Sequence, residues 1–138
     1  MTFNWTNIGL WALRVIAAVI MLQTLFFKFT AAEESVYIFS RIGMEPWGRI
    51  GTGVLELIAS ILILYPKTTV FGSVLAIGLM GGAIFFHVTR LGLVVKDDGG
   101  QLFIYAVVVL VSSLVLLIAN RQELSQYLKK FTSISAVL

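Results

Sequence analysis

Long apolar runs alternate with short polar stretches along this chain, at residues 8–29, 50–65, 70–88 and 102–119. A helix rises about 1.5 Å per residue, so each run crosses most of a hydrocarbon core ~30 Å thick. The pattern predicts an all-α polytopic membrane protein, an antiparallel four-helix transmembrane bundle. The breaks between the runs define the rest of the architecture. Asn7 is placed to cap the first helix, with Trp5 and Trp11 at the depth where amphipathic rings prefer the interface. In the longest connection, residues 30–48, apolar Val36, Ile38, Phe39 and Ile42 stand beside charged Glu33, Glu34 and Arg41. That mixture predicts a short interfacial helix within 32–42, between the first and second spans, with Val36 and Phe39 toward the membrane and Glu33 and Glu34 toward water or the mouth of the bundle. The turn at 65–69, which contains Pro66, is short enough to force a hairpin between the second and third spans. Residues 96–100, Lys-Asp-Asp-Gly-Gly, read as a polar loop, and 122–130 as a polar segment able to continue as helix in water.

Composition narrows the class further. Of 138 residues, 59% are hydrophobic and only 12% are charged, about half the charged share of a soluble domain. Four spans and three connections use nearly the whole length, so residues 1–138 are expected to form one domain without a separate catalytic module. The net charge of +3 is scattered among apolar segments and forms no stripe that could follow phosphates, so no nucleic-acid partner is expected. The absence of cysteine excludes a thiol-disulfide relay, an iron-sulfur cluster and a thiolate metal site. Arg14, the apolar residues 15–27 and Thr30-Ala31-Ala32 loosely imitate a signal peptide. Lys28 and Phe29 occupy the place of the small residues a cleavage site needs, and the segment is expected to stay as the first helix.

Four crossings put both termini on one side, together with the turn at Lys67. That side carries Lys67, Arg121, Lys129 and Lys130 against Glu123 alone. The opposite side mixes Arg41, Arg49, Arg90 and Lys96 with Glu33, Glu34, Glu45, Asp97 and Asp98. Several of those basic residues look committed to the bundle, so the termini are expected in the cytoplasm.

Charge at membrane depth is expensive and tends to mark a site. Lys28 ends the first span, Glu56 lies about 10 Å inside the second from the same side, and His87 is near the corresponding end of the third. Antiparallel packing therefore brings Lys28, Glu56 and His87 into the half of the bundle away from the termini, with Arg49 and Arg90 guarding the mouth. These five form the candidate ligand-binding set; no catalytic residue is assigned. Glu56 either pairs with Lys28 or Arg49 to join helices or, imperfectly paired, carries protons. His87 is the only histidine, which excludes a bis-histidine haem within one chain. A metal would need Glu56 plus loop carboxylates, and none is expected. His87 is either a hydrogen-bonded interface residue or a donor to a quinone or another small polar headgroup. Arg14 is read as a structural polar residue that snorkels to headgroups or caps carbonyls of a neighbouring helix. Gly78 and Gly82, in GxxxG spacing, read as packing notches.

Taken together, several of these features resemble the DoxX family, in particular its short DoxX-like branch. They are Arg14 early in helix one and Lys28 at its end, Gly51-Thr52-Gly53-Val54-Leu55-Glu56-Leu57 in helix two, Pro66 at the turn, and Gly81-Gly82-Ala83-Ile84-Phe85-Phe86-His87 in helix three. The resemblance covers nearly the whole chain. It implies a four-helix bundle in a bacterial inner membrane. Relatives include subunits of quinone-linked oxidoreductases acting on sulfur compounds, components of oxidative-stress complexes and, more distantly, assembly factors. The expectation is an accessory subunit of a membrane-linked redox system that binds a small molecule or quinone headgroup in the polar pocket. It would hold no intrinsic cofactor and would contact the lipid bilayer, a redox partner protein or further copies of itself. A small proton-coupled transporter acting as an oligomer and a membrane-protein assembly factor are the alternatives. Whether the chain is itself an enzyme stays open, because activity does not transfer with a fold.

Overall fold

The computed structural model describes residues 4–138. All its regular elements are helical: α1 Trp5–Phe29, α2 Glu33–Arg41, α3 Trp47–Leu64, α4 Thr69–Phe86, α5 Gln101–Ala119 and α6 Arg121–Val137. A π-helical turn, His87–Leu91, prolongs α4. Four segments are long and apolar enough to span a membrane: Trp5–Phe29, Trp47–Leu64, Thr69–Leu91 and Gln101–Ala119. They close into a ring in which α1 and α4 each pack on both α3 and α5. Small residues sit at the crossings, as membrane bundles require for close approach, and Ala17, Ala59, Ala76 and Ala106 join Met21, Ile63, Met80, Val109 and Leu116 in the core. Large apolar side chains such as Val19, Phe26, Ile61, Val111 and Ile118 are exposed on the outer surface, which in this setting is the lipid-facing one. Three buried hydroxyls close on helix carbonyls: Ser60 donates to Glu56 O at 2.8 Å, Ser73 to Thr69 O at 2.8 Å and Thr69 to Ile63 O at 3.0 Å.

Several details depart from the sequence reading. Asn4, not Asn7, caps α1, its side chain accepting from Asn7 N at 3.3 Å. The expected interfacial helix is present as α2, but it turns Ser35 and Phe39 inward. It lies across the ends of α1 and α3 and the π-helical turn, so its apolar face is covered by protein and Phe39 does not meet lipid. Gly78 and Gly82 are not notches, since a Cβ at either would meet nothing within 4 Å. The notch is Gly72, where a Cβ would stand 2.6 Å from Ile63 N and 2.9 Å from Ala59 O. Arg14 neither snorkels nor caps a carbonyl. It is 6% exposed, with its guanidinium 4.7 Å from the Trp11 ring centroid and its Nε without a hydrogen-bond partner. The polar tail continues as helix well past residue 130, and Tyr127 packs on Phe71 at 5.0 Å between ring centroids.

A candidate ligand pocket in the half of the bundle away from the termini

α1 delivers Thr24 and Lys28 on successive turns of one face, and the neighbouring α3 turns Glu56 inward beside them. Lys28 Nζ donates to Glu56 Oε2 at 2.8 Å and to Thr24 Oγ1 at 3.2 Å, and Thr24 Oγ1 lies 3.1 Å from the same carboxylate oxygen. The pair is largely buried, with side-chain exposures of 14% and 8%. An ion pair in so dry a setting holds only if its remaining valences are met. Here they are met on one side alone: one of the three ammonium hydrogens and Glu56 Oε1 have no protein partner.

These atoms border a cavity of about 410 Å³ enclosed by α1, α3, α4 and α5 and roofed by α2. Its walls are chiefly apolar, from Met21, Ile38, Phe39, Leu79, Met80, Phe86 and Leu102 among others. Its polar lining is Gln23, Thr24, Lys28, Glu34, Ser35, Thr52, Glu56, His87, Gln101 and Tyr105. Gly78 and Gly82 also line it, so the space their absent side chains leave becomes cavity volume.

His87 lines the cavity where α4 passes into the π-helical turn. Its Nδ1 lies 3.0 Å from Gly92 O, and its ring meets Phe103 edge-on at 5.7 Å. A carbonyl oxygen can only accept, so Nδ1 carries a proton, and Nε2 has no hydrogen-bond partner in the protein. The loop beyond is held by Asp98, which accepts from Val95 N at 3.0 Å, Gly100 N at 2.8 Å and Leu102 N at 3.2 Å, and so caps α5. Partial burial pushes this carboxyl up, but the three backbone N–H groups, with a smaller electrostatic contribution from nearby His87, outweigh it and hold it below the usual aspartate range. Outside the cavity, Lys96 bridges to Glu33 at 3.0 Å and lies 4.9 Å from the Tyr37 ring centroid, an exposed tie between that loop and α2.

Of the five residues in the candidate set, Lys28 and Glu56 bond directly and His87 shares their cavity. Arg49 and Arg90 do not border it. Arg49 is buried, its Nε held by Glu45 at 2.9 and 3.0 Å and its Nη1 bonded to Lys28 O, so it ties the end of α1 to the start of α3. Arg90 is exposed on the π-helical turn. Thr24, Gln23, Ser35, Gln101 and Tyr105 escaped the sequence reading. Thr24 with Lys28, and Gln101 with Tyr105, repeat at four residues and so share a helix face, which is the signal that could have found them. Among the described residues, no group of three or more His, Cys, Asp or Glu side chains is arranged to hold a metal ion.

A ring of four apolar spans around a largely buried ion pair and a lined cavity defines a polytopic membrane protein with an intramembrane pocket. Residues 12–119 match the DoxX-like family, and the chain belongs to it. Neither the curated proteins nor the solved structures contain a match.

Proposed function

We propose that this DoxX-like protein is a membrane-embedded binding subunit, and that its pocket takes the polar head of a small molecule, such as a quinone, on behalf of a membrane-linked redox system. The observation that carries this reading is the make-up of the cavity, in which polar side chains from α1, α2, α3, α5 and the π-helical turn converge within a chiefly apolar wall, the usual composition of a small-molecule site. Lys28 offers a donor, Glu56 Oε1 an acceptor and His87 Nε2 a third, unpartnered nitrogen. A flat ring bearing hydroxyl oxygens on opposite edges, as in a hydroquinone, uses all three, because a hydroxyl accepts from Lys28, donates to Glu56 Oε1 and serves His87 Nε2 in either role. Lys28 and Glu56 cancel each other's charge, which favours an uncharged head. The chain brings no cysteine, and the quinone would be the redox-active group.

The test is to purify the chain in lipid nanodiscs, identify copurifying molecules by mass spectrometry, and titrate it with a water-soluble benzoquinone in its oxidised and its reduced form. A bound quinone, or saturable binding of the reduced form weakened at least about tenfold by His87→Ala, is the expected result. A chain that copurifies with no small molecule and gives no saturable titration would overturn the reading, and a stable protein partner in its place would favour an assembly role.

In this reading the chain lies in a bacterial inner membrane with both termini in the cytoplasm, on the side of Lys67, Arg121, Lys129 and Lys130. Reporter fusions at Leu138 and Asp98 should then give a cytoplasmic and a non-cytoplasmic signal respectively. The reverse pair would invert the orientation, and equal signals would contradict four crossings.

A further inference from the structure

We infer that the pocket is reached sideways from the bilayer, through a portal between α1 and α5, and therefore that its ligand is an uncharged ring with an apolar tail that stays in the lipid. The inference rests on the ligand-pocket reading above and adds the route and the class of molecule.

Three observations point the same way. The end of the cavity that faces water is covered: α2 lies over it, Ser35 and Phe39 are buried beneath that helix, and Ile38, Ile42 and Met44 line the underside. The perimeter is open instead. Of the lining residues only Gln23, Phe27, Gly78 and Gln101 are exposed, and three of these four stand on the neighbouring helices α1 and α5. Gln23 and Phe27 are one turn apart on α1, as are Gln101 and Tyr105 on α5, so each helix contributes one edge of an opening. Contact between α1 and α5 is also the sparsest around the ring of spans.

The chemistry of that edge is the third observation. Gln23 lies within the membrane span, is exposed on its outer surface and makes no hydrogen bond in the protein. An amide facing hydrocarbon without a partner is costly, and such residues face cavities or pathways rather than lipid for no return. Across the seam, Gln101 Nε2 donates to Tyr105 Oη at 2.6 Å, which leaves the tyrosine hydroxyl hydrogen free. A polar head crossing from lipid to Lys28 and Glu56 meets the Gln23 amide and the Tyr105 hydroxyl on the way. Phe27, 45% exposed, flanks the same opening and offers an apolar surface for a tail. The cavity, at about 410 Å³, is of a size to hold a ring, so a long tail must remain in the opening. A phospholipid is a poor fit because Lys28, the one lysine or arginine among the described residues that line the cavity, is already neutralised by Glu56.

The test uses two probes on the wild-type chain in nanodiscs, a benzoquinone with a two-isoprenoid tail and the same ring without a tail, together with a version of the tailed probe that carries a diazirine at the tail end. The tailed probe should bind at least about tenfold more tightly than the bare ring. Its photolabel should fall on residues 20–27 and 101–106. Gln23→Trp, which puts an indole into the opening, should bring the ratio of the two affinities close to one. Equal affinities for the two probes in the wild type, or labelling confined to the α3–α4 seam beside Gly78 and Gly82, would overturn the portal while the pocket reading stands. If neither probe binds saturably, the pocket reading falls and the portal with it.

Discussion

Lys28→Met and Glu56→Gln, made singly, should each destabilise the bundle by ~3–5 kcal/mol, while the double replacement recovers most of that loss. Each single change leaves one member of a largely buried pair facing a cavity wall without its counter-charge, and the opposing oxygen or ammonium stands only 2.8 Å away. Glu56→Gln leaves an ammonium with a neutral amide and the Thr24 hydroxyl as its only partners. Lys28→Met leaves a carboxylate bonded by Thr24 alone. The double variant puts an uncharged amide beside a thioether of similar length, and no charge remains in that wall. Thermal unfolding of the four proteins in one detergent gives the coupling free energy directly. A double variant as unstable as the sum of the singles would show that Lys28 and Glu56 do not act as a pair. The double variant also separates the two uses of Glu56. If it is folded but no longer binds the quinone probe, the pair serves recognition as well as packing. If it is folded and binds as before, the ligand does not depend on it.

The meeting of Lys28 with Glu56 was legible because it needs only two quantities: depth along each helix and the alternation of direction in a bundle. Both follow from counting residues in apolar runs. The orientation of α2 was less accessible for a related reason. An amphipathic stretch declares that one face is apolar, and Phe39 belongs to that face, but the pattern does not say whether lipid or protein covers it. The ends of α1 and α3 do, and that is a tertiary fact. Arg49 illustrates a competition that sequence distance alone does not resolve. Placed at the mouth, it is taken up by Glu45 four residues earlier and by the Lys28 carbonyl in the last turn of α1, which lacks a partner within its own helix. His87 was placed near the site by depth, yet its protonated nitrogen is set by Gly92, a residue beyond the end of the helix. The glycines failed in a consistent way. GxxxG spacing marks a face without side chains, and whether a helix fills that face depends on where the neighbours lie.

That last point gives a pair of substitutions with opposite expected outcomes. Gly72→Val should be among the most damaging single changes in the chain, and Gly82→Ala should be tolerated. At Gly72 the atoms in the way are the backbone of α3, Ile63 N at 2.6 Å and Ala59 O at 2.9 Å, with Ile63 Cγ1 at 2.8 Å. Backbone cannot rotate aside as a side-chain tip can, so α3 and α4 must separate just beyond the short turn that joins them. Overpacking in a close-packed interior costs about 1–3 kcal/mol even when side chains give way, and a rigid obstacle lies at or above that range. The separation also moves the helix that carries Glu56, so ligand binding should fall along with the thermal midpoint. At Gly82 a Cβ meets nothing within 4 Å, and alanine is favoured over glycine in a helix interior by about 1 kcal/mol. Stability should therefore hold or rise. The added methyl group projects into the cavity that Gly82 lines, next to Ala83 and Phe86, so affinity for the quinone probe should fall while the fold does not. Thermal unfolding and probe titration on both variants read the contrast, and a Gly72→Val protein as stable as the wild type would refute the close approach of α3 and α4 on which the geometry of the cavity depends.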